Sequence, residues 1–69
     1  MIGENLKKIR RFKNITTKDL AQACGLNPAT INNIENGKKS PRSVTLEKIA
    51  IALGEPVGIF FADSINLSQ

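Results

Sequence analysis

The sequence predicts an all-α fold, a compact bundle of five short helices forming one domain over residues 1–69. Three observations predict it. Apolar residues recur three and four apart through most of the chain, and no segment alternates like a strand for long. Capping residues, glycines and prolines punctuate these periodic stretches at helix-length intervals. The chain is also short enough to allow only one core, because a domain of this size buries roughly 60% of the surface its unfolded form exposes. Its hydrophobic content of 41% suffices for a globular fold and is too high for a disordered segment.

The first helix is written by Ile2, Leu6 and Ile9 on one face, with Lys7, Lys8 and Arg11 on others. It should end near Lys13 and Asn14, since Asn tolerates the left-handed conformation that closes helices. Thr16-Thr17-Lys18-Asp19 then has the form of a capping box, with Asp19 where Glu or Gln is usual. Ile15 and Leu20 flank the cap as a hydrophobic staple, and this second helix should run to about Cys24 and stop at Gly25. Asn27 caps a third helix with Pro28 at its first position, where the missing N–H costs nothing. Ile31 and Ile34 give that helix an apolar stripe, and Gly37 ends it. Residues 38–42 form a basic loop in which Pro41 blocks helix continuation. A fourth helix over 43–53 turns Leu46, Ile49, Ala50 and Leu53 inward, with Gly54 after it. A fifth, short helix is expected over 56–61 with Phe60 inward, and 62–69 reads as a tail.

Charge bears on partners. Ten Lys and Arg against six Asp and Glu give a formal +4, and a polyanion suits such a surface. Many ordinary proteins are equally basic, so the distribution says more than the total. Lys7, Lys8, Arg10, Arg11 and Lys13 cluster early, and Lys38, Lys39 and Arg42 form a second group. From Gly54 onward there are only Glu55 and Asp63, so one end of the chain is suited to phosphate and the other is not. Cys24 is alone, which excludes an internal disulfide and a cysteine-rich metal site, and it is expected to serve as a small core residue. With no His, His-dependent catalysis and His-ligated metals are excluded, and the acids show no paired arrangement. No enzyme, cofactor or small-molecule ligand is read. No apolar run approaches the roughly 18 residues that span a membrane, and residues 6–13 mix charge into every turn, unlike a signal peptide. A cytoplasmic location is expected.

The informative stretch is 17–36. Two short helices that cross steeply through a tight turn need a small residue where they touch, which Ala21 supplies. They need positive φ in the turn, which Gly25 supplies. They also need apolar positions facing one core, as Leu20, Cys24, Leu26, Ile31 and Ile34 would. The strings Leu20-Ala21-Gln22-Ala23-Cys24-Gly25-Leu26-Asn27 and Thr30-Ile31-Asn32-Asn33-Ile34-Glu35-Asn36-Gly37 occur in order. Leu46-Glu47-Lys48-Ile49-Ala50-Ile51-Ala52-Leu53-Gly54 follows at the right separation. Together they resemble the helix-turn-helix of the phage repressor and Cro-like family, the xenobiotic-response-element type of transcription regulator. The resemblance covers about residues 6–61. It implies a lambda-repressor-like DNA-binding domain that binds double-stranded DNA as a homodimer, with repression as the expected mode.

The resemblance also implies a site. The family docks its second motif helix in the major groove with that helix's N-terminal residues at base edges, which makes 28–36 the recognition helix. With Ile31 and Ile34 facing the core, Pro28, Ala29, Thr30, Asn32 and Asn33 are left for base contacts. Asn33 is the first choice, because an amide bonds bidentately to adenine N6 and N7, and Ala29 suits a thymine methyl. Thr17, Lys18, Asn36, Lys38, Lys39 and Arg42 are the candidate phosphate contacts. The family often carries Gln at the position of Thr17. Arg10 and Glu35 resemble the family's internal ion pair between the first and third helices, while Lys7, Lys8 and Arg11 read as a solvated face. Val57, Ile59, Phe61 and Ile65 are more apolar surface than one short helix can bury and are expected to form a dimer surface. Glu55 falls where the family commonly places an apolar residue. A second class stays open, a protein-interaction module such as an antitoxin-like or subunit-binding partner, and salt-sensitive DNA binding would separate the two.

Overall fold

The helices begin and end where the sequence provides partners for orphan backbone groups. In the computed structural model, which describes residues 2–63, α1 spans Ile2–Phe12, α2 Thr17–Cys24, α3 Pro28–Glu35 and α4 Ser43–Leu53. The Thr16 hydroxyl accepts the Asp19 N–H at 3.0 Å, and Asn27 Oδ1 accepts the Ala29 N–H at 2.8 Å. These are N-caps of α2 and α3, each satisfying one donor that the helix itself cannot. α4 starts after Arg42, whose side chain makes no capping bond. All four helices close alike, through a residue at positive φ: Asn14 (59°), Gly25 (71°), Gly37 (76°) and Gly54 (71°). At α1, for instance, the Asn14 N–H donates to the Arg11 carbonyl at 3.0 Å and the Ile15 N–H to the Arg10 carbonyl at 3.1 Å. That nested pair of reversed bonds is the Schellman closure.

The expected fifth α-helix is instead a short 3₁₀ helix, Val57–Phe61, so the described residues form four α-helices and one 3₁₀ turn. Pro56 sets its entry, and the bonds span three residues, with the Ile59 N–H on the Pro56 carbonyl at 3.1 Å. Five residues that include Gly58 have too little intrinsic preference to build a stable α-turn. The tighter geometry instead carries Phe60 into the core, where it is fully buried.

The core is one cluster. Leu6 and Ile9 of α1, Leu20, Ala21 and Cys24 of α2, Ile31 and Ile34 of α3, and Leu46, Ile49, Ala50 and Leu53 of α4 are buried with Phe60. Full burial of each large member contributes about 1.5–3 kcal/mol. α2 packs on both α3 and α4, while α1 packs on α3 and on the 3₁₀ turn, which also touches α4. Two polar contacts tie that end down. Buried Asn5 donates through Nδ2 to the Phe60 carbonyl at 2.8 Å and to the Ala62 carbonyl at 2.9 Å. Lys13 Nζ meets Glu55 Oε2 at 3.1 Å. The charge at position 55 thus joins the end of α1 to the turn after α4, where an apolar residue would have packed. Among the described residues, no buried side-chain nitrogen or oxygen lacks a hydrogen-bond partner.

Candidate nucleic-acid interface

The motif is built from a turn of three residues, 25–27. Gly25 takes the left-handed conformation, and its N–H donates to the Gln22 carbonyl at 3.3 Å. The next N–H, of Leu26, returns to the Ala21 carbonyl at 2.8 Å. Ala21 is fully buried, so no side chain beyond a methyl separates α2 from its neighbours there. Asn27 then restarts the chain as a helix with Pro28 at its first position. The outcome is two eight-residue helices locked across a turn with few degrees of freedom.

One side of α3 is committed to the core through Ile31 and Ile34. Pro28, Ala29, Asn32, Asn33 and Asn36 are all exposed. At 100° per residue they fall within an arc of about 140°. Four of these five positions lie inside α3, and Asn36 follows its last turn, one residue short of the expected helix end. Thr30 stands apart. It is half-buried at the edge of a hollow between α3 and the start of α4, shared with Leu26, Lys39, Arg42 and Thr45.

The basic loop is tethered to this face. The Lys38 and Lys39 N–H groups both donate to the Asn33 carbonyl, at 2.8 and 3.2 Å. The chain therefore folds back over the end of α3, with Lys38, Lys39 and Arg42 all exposed. Lys18 is exposed on the first turn of α2, where Thr17 is half-buried. The early basic group divides. Arg10 and Lys13 are engaged in ion pairs, while Lys8 and Arg11 are exposed and Lys7 is half-buried. Only part of that cluster is therefore available to phosphate.

Arg10 and Glu35 meet across α1 and α3. Arg10 Nε lies 2.6 Å from Glu35 Oε2, Nη2 lies 3.2 Å from Oε1, and Nη1 donates to the Ile15 carbonyl at 2.8 Å. The bidentate fork binds the last residue of α3 and the loop before α2 at once. Cys24 is buried, its S–H directed at the Lys48 carbonyl 3.8 Å away. Burial pushes its thiol above the usual range, against a smaller opposing pull from the charge of Lys48. Of the C-terminal apolar residues, Phe61 and Val57 are exposed, whereas Ile59 is half-buried against the core and is the exception to the expected surface. Ile65 lies outside the described residues. Exposed Phe12, Val44 and Ile51 were not singled out by the sequence pattern, because each sits within a helix whose periodicity is dominated by its buried face.

A capped helix, a three-residue glycine turn and a second helix with one buried and one polar face define a helix-turn-helix domain of the kind found in transcription regulators. The chain belongs to the helix-turn-helix family HTH_3, whose model matches residues 6–60. It is similar to the HTH-type transcriptional repressor RghR of Bacillus subtilis, with 40% identity over 55 residues, 78% of this chain and 41% of that one. It is also similar to the control protein C.MunI of a Mycoplasma species, with 36% identity over 62 residues covering 88% of this chain and 84% of that one. Among solved structures, the restriction-modification controller protein C.AhdI of Aeromonas hydrophila superimposes with a TM-score of 0.85 at 27% identity, over 87% of this chain and 91% of that one. The chain spans about two-fifths of the length of RghR and of the regulator RghRB of Bacillus subtilis.

Proposed function

We propose that this chain binds double-stranded DNA sequence-specifically as a homodimer and regulates transcription by occupancy, with repression as its mode. The observation that carries the reading is the exposed polar arc of α3. Two asparagines there, Asn32 and Asn33, project from a helix whose other side is fixed in the core. Amides on a rigid helix suit base edges in the major groove, and Pro28 and Ala29 at the N-terminal turn allow close approach. Exposed Lys18 at the start of α2 and exposed Lys38, Lys39 and Arg42 after α3 reach the flanking backbones in this reading and position the protein without reading sequence. Thr17 and Asn36 complete the proposed phosphate set. Thr30, being half-buried, is given a lesser part in base reading.

Size argues for a dimer. The longest dimension of the molecule is 30 Å. Two half-sites one helical turn apart are separated by about 34 Å, so a single copy cannot place a helix in both. Val57 and Phe61 provide exposed apolar surface for the second copy. RghR is a transcriptional repressor and C.MunI a control protein, which supports a regulatory role without fixing its sign.

The test is selection of bound duplexes from a randomised pool at near-physiological salt. An enriched pseudo-palindrome with half-sites about 10 base pairs apart is the expected result. A folded protein that enriches nothing would transfer the role of this domain to protein partners.

A further inference from the structure

We propose that Gly3 is a positioning residue for the recognition helix, setting the distance at which α1 buttresses α3 and hence where the asparagine face is presented. The inference rests on the DNA-reading role proposed for α3. Gly3 lies in the first turn of α1, where glycine is a poorer helix former than alanine. Its φ is not in the left-handed region, so backbone conformation does not call for glycine. What does is proximity. A methyl group at position 3 would collide with the Ile34 carbonyl oxygen and would lie 2.7 Å from the Glu35 carbonyl oxygen and 3.0 Å from the Glu35 carbonyl carbon. All three are backbone atoms of the last turn of α3, so no side-chain rotation relieves the clash.

Glu35 is anchored sideways by Arg10, two turns further along the same face of α1. Gly3 and Arg10, about 10 Å apart along α1, thus both bear on Glu35 at the end of α3. The Ile34 carbonyl also accepts the Gly37 N–H at 3.1 Å, and the Asn33 carbonyl anchors Lys38 and Lys39, so the helix end moves together with the basic loop. A side chain at position 3 would force the first turn of α1 and this assembly apart by about 1 Å, because the atoms it meets are backbone and cannot rotate away. Asn33 and Asn36 flank Ile34 and Glu35 in sequence, with Asn36 lining a hollow shared with Gly3, and would be displaced with them. Base readout depends on geometry held to about 0.5 Å, whereas attraction to phosphate does not.

Gly3→Ala is therefore expected to lower the ratio of affinity for the selected duplex over a scrambled duplex by about tenfold or more. Affinity for the scrambled duplex and its salt dependence should hardly change. Ile49→Val and Ile49→Ala, core changes on α4, supply comparators of graded stability. Both affinities are measured at a temperature where every variant is folded, with an excluded osmolyte added if Gly3→Ala needs it. A ratio that falls no further than in the comparator of equal stability would overturn the proposal. A Gly3→Ala chain that stays unfolded even in osmolyte would also overturn it, because the contact would then serve the fold and not the orientation of α3. Backbone amide spectra form an independent arm. Shifts concentrated at 32–39, and not in α4, are expected, and an unmoved α3 would count against the proposal. If the wild-type chain selects no duplex, the DNA reading fails on its own while the amide spectra still judge the role of Gly3.

Discussion

Arg10 donates three hydrogen bonds to two partners, and its side chain keeps 11% of its exposure while that of Glu35 keeps 2%. Removing one member of so enclosed a pair leaves the other charge in a poor dielectric without compensation, which costs about 3–5 kcal/mol. Arg10→Ala should therefore lower unfolding free energy in urea by about 3 kcal/mol, at the low end because Arg10 retains some solvent. Arg10→Met combined with Glu35→Leu should recover most of that loss. A cost below about 1 kcal/mol for the single variant would make the pair no better than a surface bridge. Asn33 shows the opposite division of labour. Its backbone carbonyl holds Lys38 and Lys39, while its side chain is exposed. Asn33→Ala should leave the thermal midpoint nearly unchanged and cost about 1–3 kcal/mol on the preferred duplex, with selectivity relaxed at one base pair. Titrations against duplexes varied one position at a time would read this. Equal weakening on every duplex would reassign Asn33 to the backbone.

Helix boundaries were legible in the sequence because caps are local chemistry. Thr16, Asn27 and Pro28 mark starts, and Asn14, Gly25, Gly37 and Gly54 mark ends, each within a few residues of the bonds it makes. The α3 side chains that face the core and those that face outward were legible for the same reason, through the helical period. What escaped were contacts between elements distant in sequence. Asn5 reaches carbonyls 55 and 57 residues away, and nothing near it announces a buried amide. Lys13 and Glu55 find each other only after folding, and Gly3 has no signal except that it sits in a helix without a reason of its own. The 3₁₀ turn escaped because the periodicity of five residues fits either helix type. Gly25 is the element-scale test. Space around it is open, with no atom within 4 Å of an added Cβ, so the cost of a side chain is conformational alone. Gly25→Ala should destabilise by about 1–2 kcal/mol. Gly25→Asn should lose less, since Asn tolerates the left-handed region better than other residues. Thermal unfolding of both variants gives the comparison, and equal losses would mean that the Cβ meets something other than its own backbone.

Across the whole molecule, exposed polar and exposed apolar surface lie on different elements. The basic loop and polar arc gather around α3, while the 3₁₀ turn, held by Asn5 and packed on α1 and α4, presents Phe61 at 61% exposure and Val57 at 37%. A large aromatic left this open beside a fully buried Phe60 is the main liability of so small a domain, unless a second copy covers it. Phe61→Asp places a charge on that surface without touching the core. The variant should stay folded, sediment as a monomer at micromolar concentration, and bind the full palindrome at least about tenfold more weakly, while binding to an isolated half-site holds. Its salt dependence carries the sharper signal. Each neutralised phosphate contributes about −0.9 to the slope of log affinity against log salt, so a monomer should show about half the slope of the dimer. A Phe61→Asp chain that still sediments as a dimer with the full slope would move the interface elsewhere. The outward face of α4, where Val44 is 63% and Ile51 79% exposed, would then be the surface to substitute next.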